Sequence, residues 1–569
     1  MTTAQVGEKL YSLAKKRILL GFGCLCVLLL LTTAALTSYL VYQEATRPTG
    51  TTSPTTGPSV TGRGKVKLHC KVLIIGSGFA GSFAAFQLAP LYGKDLCLVE
   101  KSDRDGGRIY DISERPNGPV FGFGALRVIT GQTGMQSLAR VLNITFQPDL
   151  ADVELLKVRG QFYFRTPVSE TRKLCNEHFS GMECYNNETG VPTDGIMMGE
   201  LLNSRYELPL EQQLHMPEAI DITSQGLALF GDEGFDFFRE CLRYNSLMTS
   251  ISVQGFLDFL AHEGGGFDPQ RFYPVGGMSS YYKTMMAEAS RNGMRVYREE
   301  PVEEIATLTL QEPLDGAFRV ETRSFDIQTD KVLCSIDPSN FHGVAGNVAE
   351  SVKSAEEFGW IVPKVAATVS AWWDERWWES SRHHGTYNLT RAVSHENCFN
   401  MMDIPTFPYA MDENVTRAVY DDGSCVDTWR LLINDETRLE ELTDTVVKSL
   451  QHFFDDVVVP RPRFLRGHVF ENAWHFQAPQ SSKTNQEVFE WSQRPTQYEN
   501  FVLIGEAYNL NYAAWCDGAL RSSMTALMNF YNFTYPCCDD TDVTSTTICQ
   551  PCETAGKRRH SPNIHNLMP

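Results

Sequence analysis

The feature that most constrains this chain is an apolar run, Val72-Leu-Ile-Ile75, that leads straight into Gly76-Ser-Gly78-Phe-Ala-Gly81. The pattern predicts a buried strand, a tight glycine turn and a helix over 82–91, the opening of a dinucleotide-binding βαβ unit. Gly76 permits the turn, Gly78 lets the backbone approach a pyrophosphate, and Gly81 lets the helix pack closely on the strand. The phosphates would then sit at the positive end of that helix. A second apolar strand over 96–100 ends in Glu100, about 20 residues beyond the glycines, where a carboxylate can accept both hydroxyls of a ribose.

Further blocks follow in order. Glu100 leads through a short spacer to Gly106-Gly107-Arg108, and then comes Gly122-Phe-Gly124-Ala125-Leu126-Arg127. A middle segment reads Tyr273-Pro-Val-Gly276-Gly277-Met278, followed by Val296-Tyr-Arg-Glu-Glu-Pro-Val302. Near the C-terminus stand Gly505-Glu506-Ala507 and Ala514-Trp515-Cys516-Asp517-Gly518. In these blocks the chain resembles the flavin-containing amine oxidase superfamily, and most closely its L-amino-acid oxidases. The resemblance implies noncovalent FAD. It places Gly76, Gly78, Gly81, Glu100, Gly107, Arg108, Gly124, Ala125, Val302, Gly505 and Glu506 on the cofactor, with Val302 near adenine and the Gly505-Glu506 pair near the ribityl chain. Arg108 also suits two phosphates on physical grounds, as a rigid bidentate donor.

The expected fold is α/β, a Rossmann-like FAD-binding domain interleaved with an α+β substrate-binding domain and preceded by one N-terminal transmembrane helix. The expected boundaries are 67–150, 270–340 and 465–535 for the cofactor half, and 151–269 with 341–464 for the substrate half. Segments 234–247 and 200–206 have helical apolar spacing, while 316–323 and 331–336 read as strands. A chain of 569 residues, 42% hydrophobic, is ample for such a core, and its net charge of -19 argues against nucleic acid as a partner.

Residues 18–42 form an uncharged apolar stretch long enough to cross the roughly 30 Å hydrocarbon core. Lys9, Lys15, Lys16 and Arg17 precede it, so residues 1–17 are expected in the cytoplasm and the rest in the lumen or outside, a single-pass type II arrangement. A signal peptide cleaved near Ala34 and Ala35 is the alternative, giving a secreted protein. The Thr/Pro/Gly-rich stretch 43–66 reads as a stem, and 536–569 as a cysteine-containing tail. Asn-x-Thr acceptors occur at Asn143, Asn187, Asn388, Asn414 and Asn532. Cys175 with Cys184, Cys398 with Cys425, and the group Cys537, Cys538, Cys549 and Cys552 are candidate disulfides. Cys549 and Cys552 lack partner histidines, so no metal site is expected.

Substrate selection turns on Arg127. In L-amino-acid oxidases a similar segment ends in an arginine that holds the substrate carboxylate, and a buried guanidinium would be left unpaired by a simple amine. Trp515 is expected to form a wall of the pocket. The resemblance implies hydride transfer from the substrate α-carbon to flavin N5, hydrolysis of the resulting imine to a 2-oxo acid and ammonia, and reoxidation by molecular oxygen to hydrogen peroxide. Many relatives keep a lysine near flavin N5. Lys364 starts a strand of the right kind, whereas counting back from Trp377-Trp378 lands on Thr368. A monoamine or polyamine oxidase, a desaturase or isomerase of the same fold, and a non-catalytic flavin-binding membrane protein are the alternatives.

Overall fold

Two seven-stranded sheets organise the described residues. Their strands, in chain order, are β1 (Val66–Ile75), β2 (Leu96–Val99), β3 (Glu154–Val158), β4 (Gln161–Phe164), β5 (Arg295–Tyr297), β6 (Val302–Thr307), β7 (Phe318–Thr322), β8 (Phe325–Cys334), β9 (Ile361–Trp372), β10 (Arg391–Ser394), β11 (Asn400–Asp403), β12 (Val415–Asp421), β13 (Phe464–Gln477) and β14 (Phe501–Leu503). The computed structural model describes residues 65–113, 120–148, 153–164, 168–179, 221–241, 244–263, 271–308, 318–384, 389–396, 398–404, 414–538 and 547–551. The apolar segment 18–42, the stem up to residue 64 and the helix expected at 200–206 lie outside them. No helix among the described residues is long and apolar enough to cross a membrane.

The first sheet runs β5-β2-β1-β8-β7-β6, with β14 beside the end of β8. Its strands β5, β2, β1, β8 and β14 are parallel, and β6 and β7 add an antiparallel edge. The end of β1 is buried on both faces, as a central parallel strand must be. Val72 and Ile74 enter one core with Phe83 and Leu88, while Leu73 and Ile75 enter the other with Val348 and Phe501. Helix α1 (Phe79–Tyr92) begins three residues before the predicted start because Gly78 caps it directly, and α2 (Ser279–Arg291) and α3 (Cys516–Tyr531) pack beside it.

The second sheet runs β13-β9-β12-β11-β10-β3-β4. It is drawn from 154–164, 361–421 and 464–477, so the chain stays in this sheet through Gln477 and rejoins the first only at Phe501. Helical spacing at 234–247 resolves into a helix over Ile222–Cys241 and a 3-10 turn over Asn245–Met248.

The pair Cys398–Cys425 forms a disulfide as expected. Cys70–Cys97, which joins β1 to β2, was not foreseen: Cys97 reads as an ordinary core position of an apolar strand, and Cys70 stands between His69 and Lys71 ahead of the apolar run. Cys175 and Cys549 are also disulfide-bonded, while Cys184 and Cys552 lie outside the described residues.

Candidate active site

The glycine turn is shaped by close approach. Gly76 has φ +92°, and a Cβ at Gly81 would stand 1.9 Å from the Gly76 carbonyl oxygen. A Cβ at Gly78 would meet nothing within 4 Å. Helix α1 has no side-chain cap, so its first N–H groups point into that space with no side-chain acceptor. Gly106 donates its N–H to Ser77 O at 3.0 Å, and a Cβ on Gly107 would lie 3.2 Å from Gly78 Cα. The second glycine pair thus closes over the first. Glu100, 7% exposed at the end of β2, accepts from Ser77 N at 2.8 Å and Ser102 N at 2.9 Å. The strand that begins at Val302 is led in from there, because Glu300 N donates to Glu100 O at 2.9 Å. An uncapped helix start, open space above Gly78 and an adjacent carboxylate fit the pyrophosphate and ribose of a dinucleotide.

Farther along, Arg108 meets Glu506. Its Nη1 donates to Glu506 Oε2 and lies 3.4 Å from His475 Nδ1. Glu506 is 4% exposed, and its Oε1 accepts from the backbone N–H groups of His475 at 3.1 Å and Ala514 at 2.8 Å. Burial works against its charge, yet Arg108 and His475 hold the carboxyl well below the usual range. Gly505, at φ +136°, donates to Ser522 Oγ and delivers Glu506 to this position. Gly124 is required here too, since a Cβ would stand 1.8 Å from Arg108 O. The Gly276-Gly277 turn packs on Asp111, whose Oδ2 accepts from Ser279 N at 2.6 Å.

Beside this node a cavity opens. Gly124, Ala125, Leu126 and Arg127 line one side of it and Ala514, Trp515 and Cys516 another, and Tyr244, Phe259, Arg417, Tyr420 and Trp474 complete it. Tyr244 makes edge contacts with Trp474 at 5.5 Å and Tyr420 at 5.8 Å between ring centroids. Trp474 Nε1 donates to Ser246 Oγ, which donates to the buried carboxylate of Asp422 at 2.6 Å. Trp515 Nε1, on the cavity wall, and His475 Nε2, on the residue after Trp474, are buried without a hydrogen-bond partner. Burial pushes the Cys516 thiol up to about 12, so it carries no thiolate at neutral pH.

The two candidates for the family lysine position go to different places. Lys364 Nζ donates to the carbonyls of Thr249, at 2.5 Å, and Ser250, and burial lowers its pKa to about 8 against the opposing pull of Asp422 and Asp221. Thr368 is fully buried and donates to Phe123 O at 3.2 Å, one residue before Gly124. Arg127 and Trp515, picked out from sequence, do meet at one cavity. Tyr244, Phe259, Arg417 and Tyr420 were missed. The one local signal was Arg417, a charge inside a strand whose every residue is buried.

A parallel sheet with a glycine-rich cradle, facing a cavity bounded by a second and largely antiparallel sheet, defines a two-part dinucleotide-binding protein with a separate substrate half. The profile for flavin-containing amine oxidoreductases matches residues 79–526, and the chain belongs to that family, whose cofactor is FAD. No curated relative matches at the level of sequence. Among solved structures, wild-type putrescine oxidase bound to putrescine is similar at 13% identity and a TM-score of 0.59, over 82% of this chain and 100% of that one. A single-substitution variant of the same enzyme is similar at 14% identity and 0.58, over 82% and 99%. At such identity the likeness concerns the fold.

Proposed function

We propose that this protein is an FAD-dependent L-amino-acid oxidase, converting an L-amino acid, oxygen and water to a 2-oxo acid, ammonia and hydrogen peroxide. The observation that carries the reading is charge. Among the described residues no carboxylate lines the cavity, and Arg127 does. A guanidinium in a low-dielectric site favours an anionic group on the substrate and disfavours a second cation. Bound FAD would supply a two-electron acceptor that oxygen can reoxidise. On the protein's side, the α1 N-terminus with Gly78 and Gly107 would hold the pyrophosphate, Glu100 the ribose, and the Arg108–Glu506 node the middle of the cofactor. Arg127 would orient the substrate carboxylate, and Trp515 and Trp474 would wall the reacting carbon away from water.

A monoamine or polyamine oxidase is the second reading, favoured by the fold likeness to putrescine oxidase. Anaerobic mixing of the full-length flavoprotein with L-amino acids, monoamines and polyamines tests both. Bleaching of the oxidised flavin band by L-amino acids, lost in Arg127→Ala, is the expected result; bleaching by amines alone would make Arg127 structural and refute the first reading.

We further read residues 18–42 as a signal anchor that places the enzyme in the secretory pathway. The disulfides Cys70–Cys97 and Cys398–Cys425 support an oxidising compartment. Protease protection of the catalytic part in sealed microsomes is expected, and its digestion there would refute the orientation.

A further inference from the structure

Arg417 has no role in the scheme above, yet its surroundings are those of a ligand-binding group. It lies in β12, a strand whose seven residues are all buried, and is itself 5% exposed. Desolvating a guanidinium costs several kcal/mol unless its N–H groups are matched. One match is present: Nη2 donates to Asp403, the residue opposite it on β11. That carboxylate is shared, because Arg391 Nε also donates to it at 2.7 Å. Nε of Arg417 is buried and has no partner. The guanidinium lies 4.9 Å from the centroid of the Tyr420 ring, and the side chain lines the cavity.

A purely structural ion pair explains these facts poorly. It would be completed within the protein, whereas Arg417 leaves a buried donor unmatched and turns toward the cavity. Asp403 stays behind it and is absent from the lining. Burial disfavours the Asp403 charge, but Arg417, Arg391 and Arg127 together hold its pKa at about 2, so it remains an anion among three cations. The two cavity arginines also enter from different halves of the fold. Arg127 follows the Gly124–Leu126 segment beside the cofactor node, and Arg417 projects from the second sheet at the aromatic wall. Both guanidiniums line the cavity that a substrate would occupy.

We propose that Arg417 is a specificity-determining anion receptor and that the preferred substrate is an acidic L-amino acid, with Arg127 on the α-carboxylate and Arg417 on the side-chain carboxylate. The inference rests on the L-amino-acid oxidase reading. A neutral side chain would leave the Arg417 donors facing apolar atoms, and a basic one would set two cations together in a poorly solvated space. An acidic side chain satisfies them with charge-assisted hydrogen bonds.

Steady-state peroxide formation by the full-length flavoprotein, with L-glutamate, L-aspartate, L-leucine, L-phenylalanine and L-lysine, tests this. The wild-type protein is expected to favour the acidic pair by about 100-fold in kcat/KM, the scale of one charge-assisted contact. In Arg417→Met the ratio of glutamate to leucine should fall by a similar factor, and Arg417→Lys should recover part of it. A wild-type preference for neutral substrates, with Arg417→Met lowering every amino acid alike, would overturn the proposal while leaving the oxidase reading intact. Oxidation of amines and of no amino acid would overturn both. Should Arg417→Met fail to fold, the wild-type protein decides alone. Glutarate must then perturb the flavin band at concentrations at least about ten-fold below butyrate, and equal concentrations would refute a second carboxylate site.

Discussion

Replacing Glu506 should separate the two things it does, holding charge and holding backbone. Its Oε1 takes the N–H groups of His475 and Ala514, and its Oε2 faces Arg108 and His475 Nδ1. In Glu506→Ala both buried N–H groups lose their acceptor, at about 1–3 kcal/mol each. The Arg108 side chain is 34% exposed and rehydrates, so its share is discounted to about 0–1 kcal/mol. The sum is about 2–7 kcal/mol. In Glu506→Gln the Oε1 acceptor survives and only the charge is lost, with an amide N–H now turned toward Arg108, for about 1–2 kcal/mol. Unfolding entropy of about 2.1 cal/mol/K per residue, over the roughly 500 residues from Lys65 onward, converts each kcal/mol to about 1 °C in Tm. Thermal unfolding followed by tryptophan fluorescence should therefore put the alanine variant about 2–7 °C below wild type and the glutamine variant about 1–2 °C below. Because the Glu506 pKa is depressed on folding, its contribution is fully present above the unfolded value of 4.5 and fades only as pH falls below it, so the gap should be flat from pH 6 to 9. Alanine also frees Ala514, held at φ +66° next to Trp515, and His475, next to Trp474, so kcat/KM should fall with Tm. Equal losses in the two variants, or an alanine variant within about 1 °C of wild type, would refute the account of the anchored N–H groups.

The glycine cradle predicts a contrast between neighbours. Gly78→Ala adds a methyl group to open space and should leave apoprotein Tm unchanged while weakening FAD binding about ten-fold or more, whereas Gly81→Ala drives Cβ to 1.9 Å from Gly76 O and should lower both; FAD titration and thermal unfolding of the two apoproteins read the difference. Lys364 predicts a pH dependence. Its folded pKa of about 8 lies below the ordinary 10.5, so the unfolded chain binds more protons between those values and stability should rise as pH climbs from about 8 to 10.5; Lys364→Met should flatten that rise in urea titrations, and an unchanged slope would show that Lys364 is not desolvated.

The cofactor half was largely legible because its signals are local. A turn, a helix start and a terminal acid lie within 30 residues of one another, and each needs a particular residue for a reason of backbone geometry that survives any tertiary context. The cavity was not legible in the same way. Arg417 and Tyr420 on β12 and Trp474 on β13 are brought together only by the register of both strands with β9, and Tyr244 joins them from the residue before the Asn245–Met248 turn. Nothing in the spacing of one stretch announces the others. The Cys70–Cys97 bridge was hidden for a related reason: Cys97 sits among apolar residues where a small buried side chain is expected anyway, and Cys70, between His69 and Lys71, meets it only through the pairing of β1 with β2.

The choice between Lys364 and Thr368 shows how register does what counting along a sequence cannot. Both belong to β9, and a strand with strict alternation would put residues four apart on the same face. The pairing of β9 with β13 shifts between Lys364 and Ala366, so an irregularity lies between the two candidates and the alternation from one no longer fixes the other. Lys364 lies opposite Trp474, and its ammonium turns to the carbonyls that follow the Asn245–Met248 turn. Thr368 lies opposite Tyr420 and His468, and its hydroxyl is fixed to the backbone just before Gly124. Lys364 therefore stands at the substrate-half end of the strand, where an ammonium finds carbonyl acceptors, and Thr368 stands against the segment that leads to Arg127. A hydroxyl there has one O–H to donate, already given to Phe123 O, and carries no titratable proton near neutral pH. Thr368 consequently supplies no proton at the Gly124 side of the cavity.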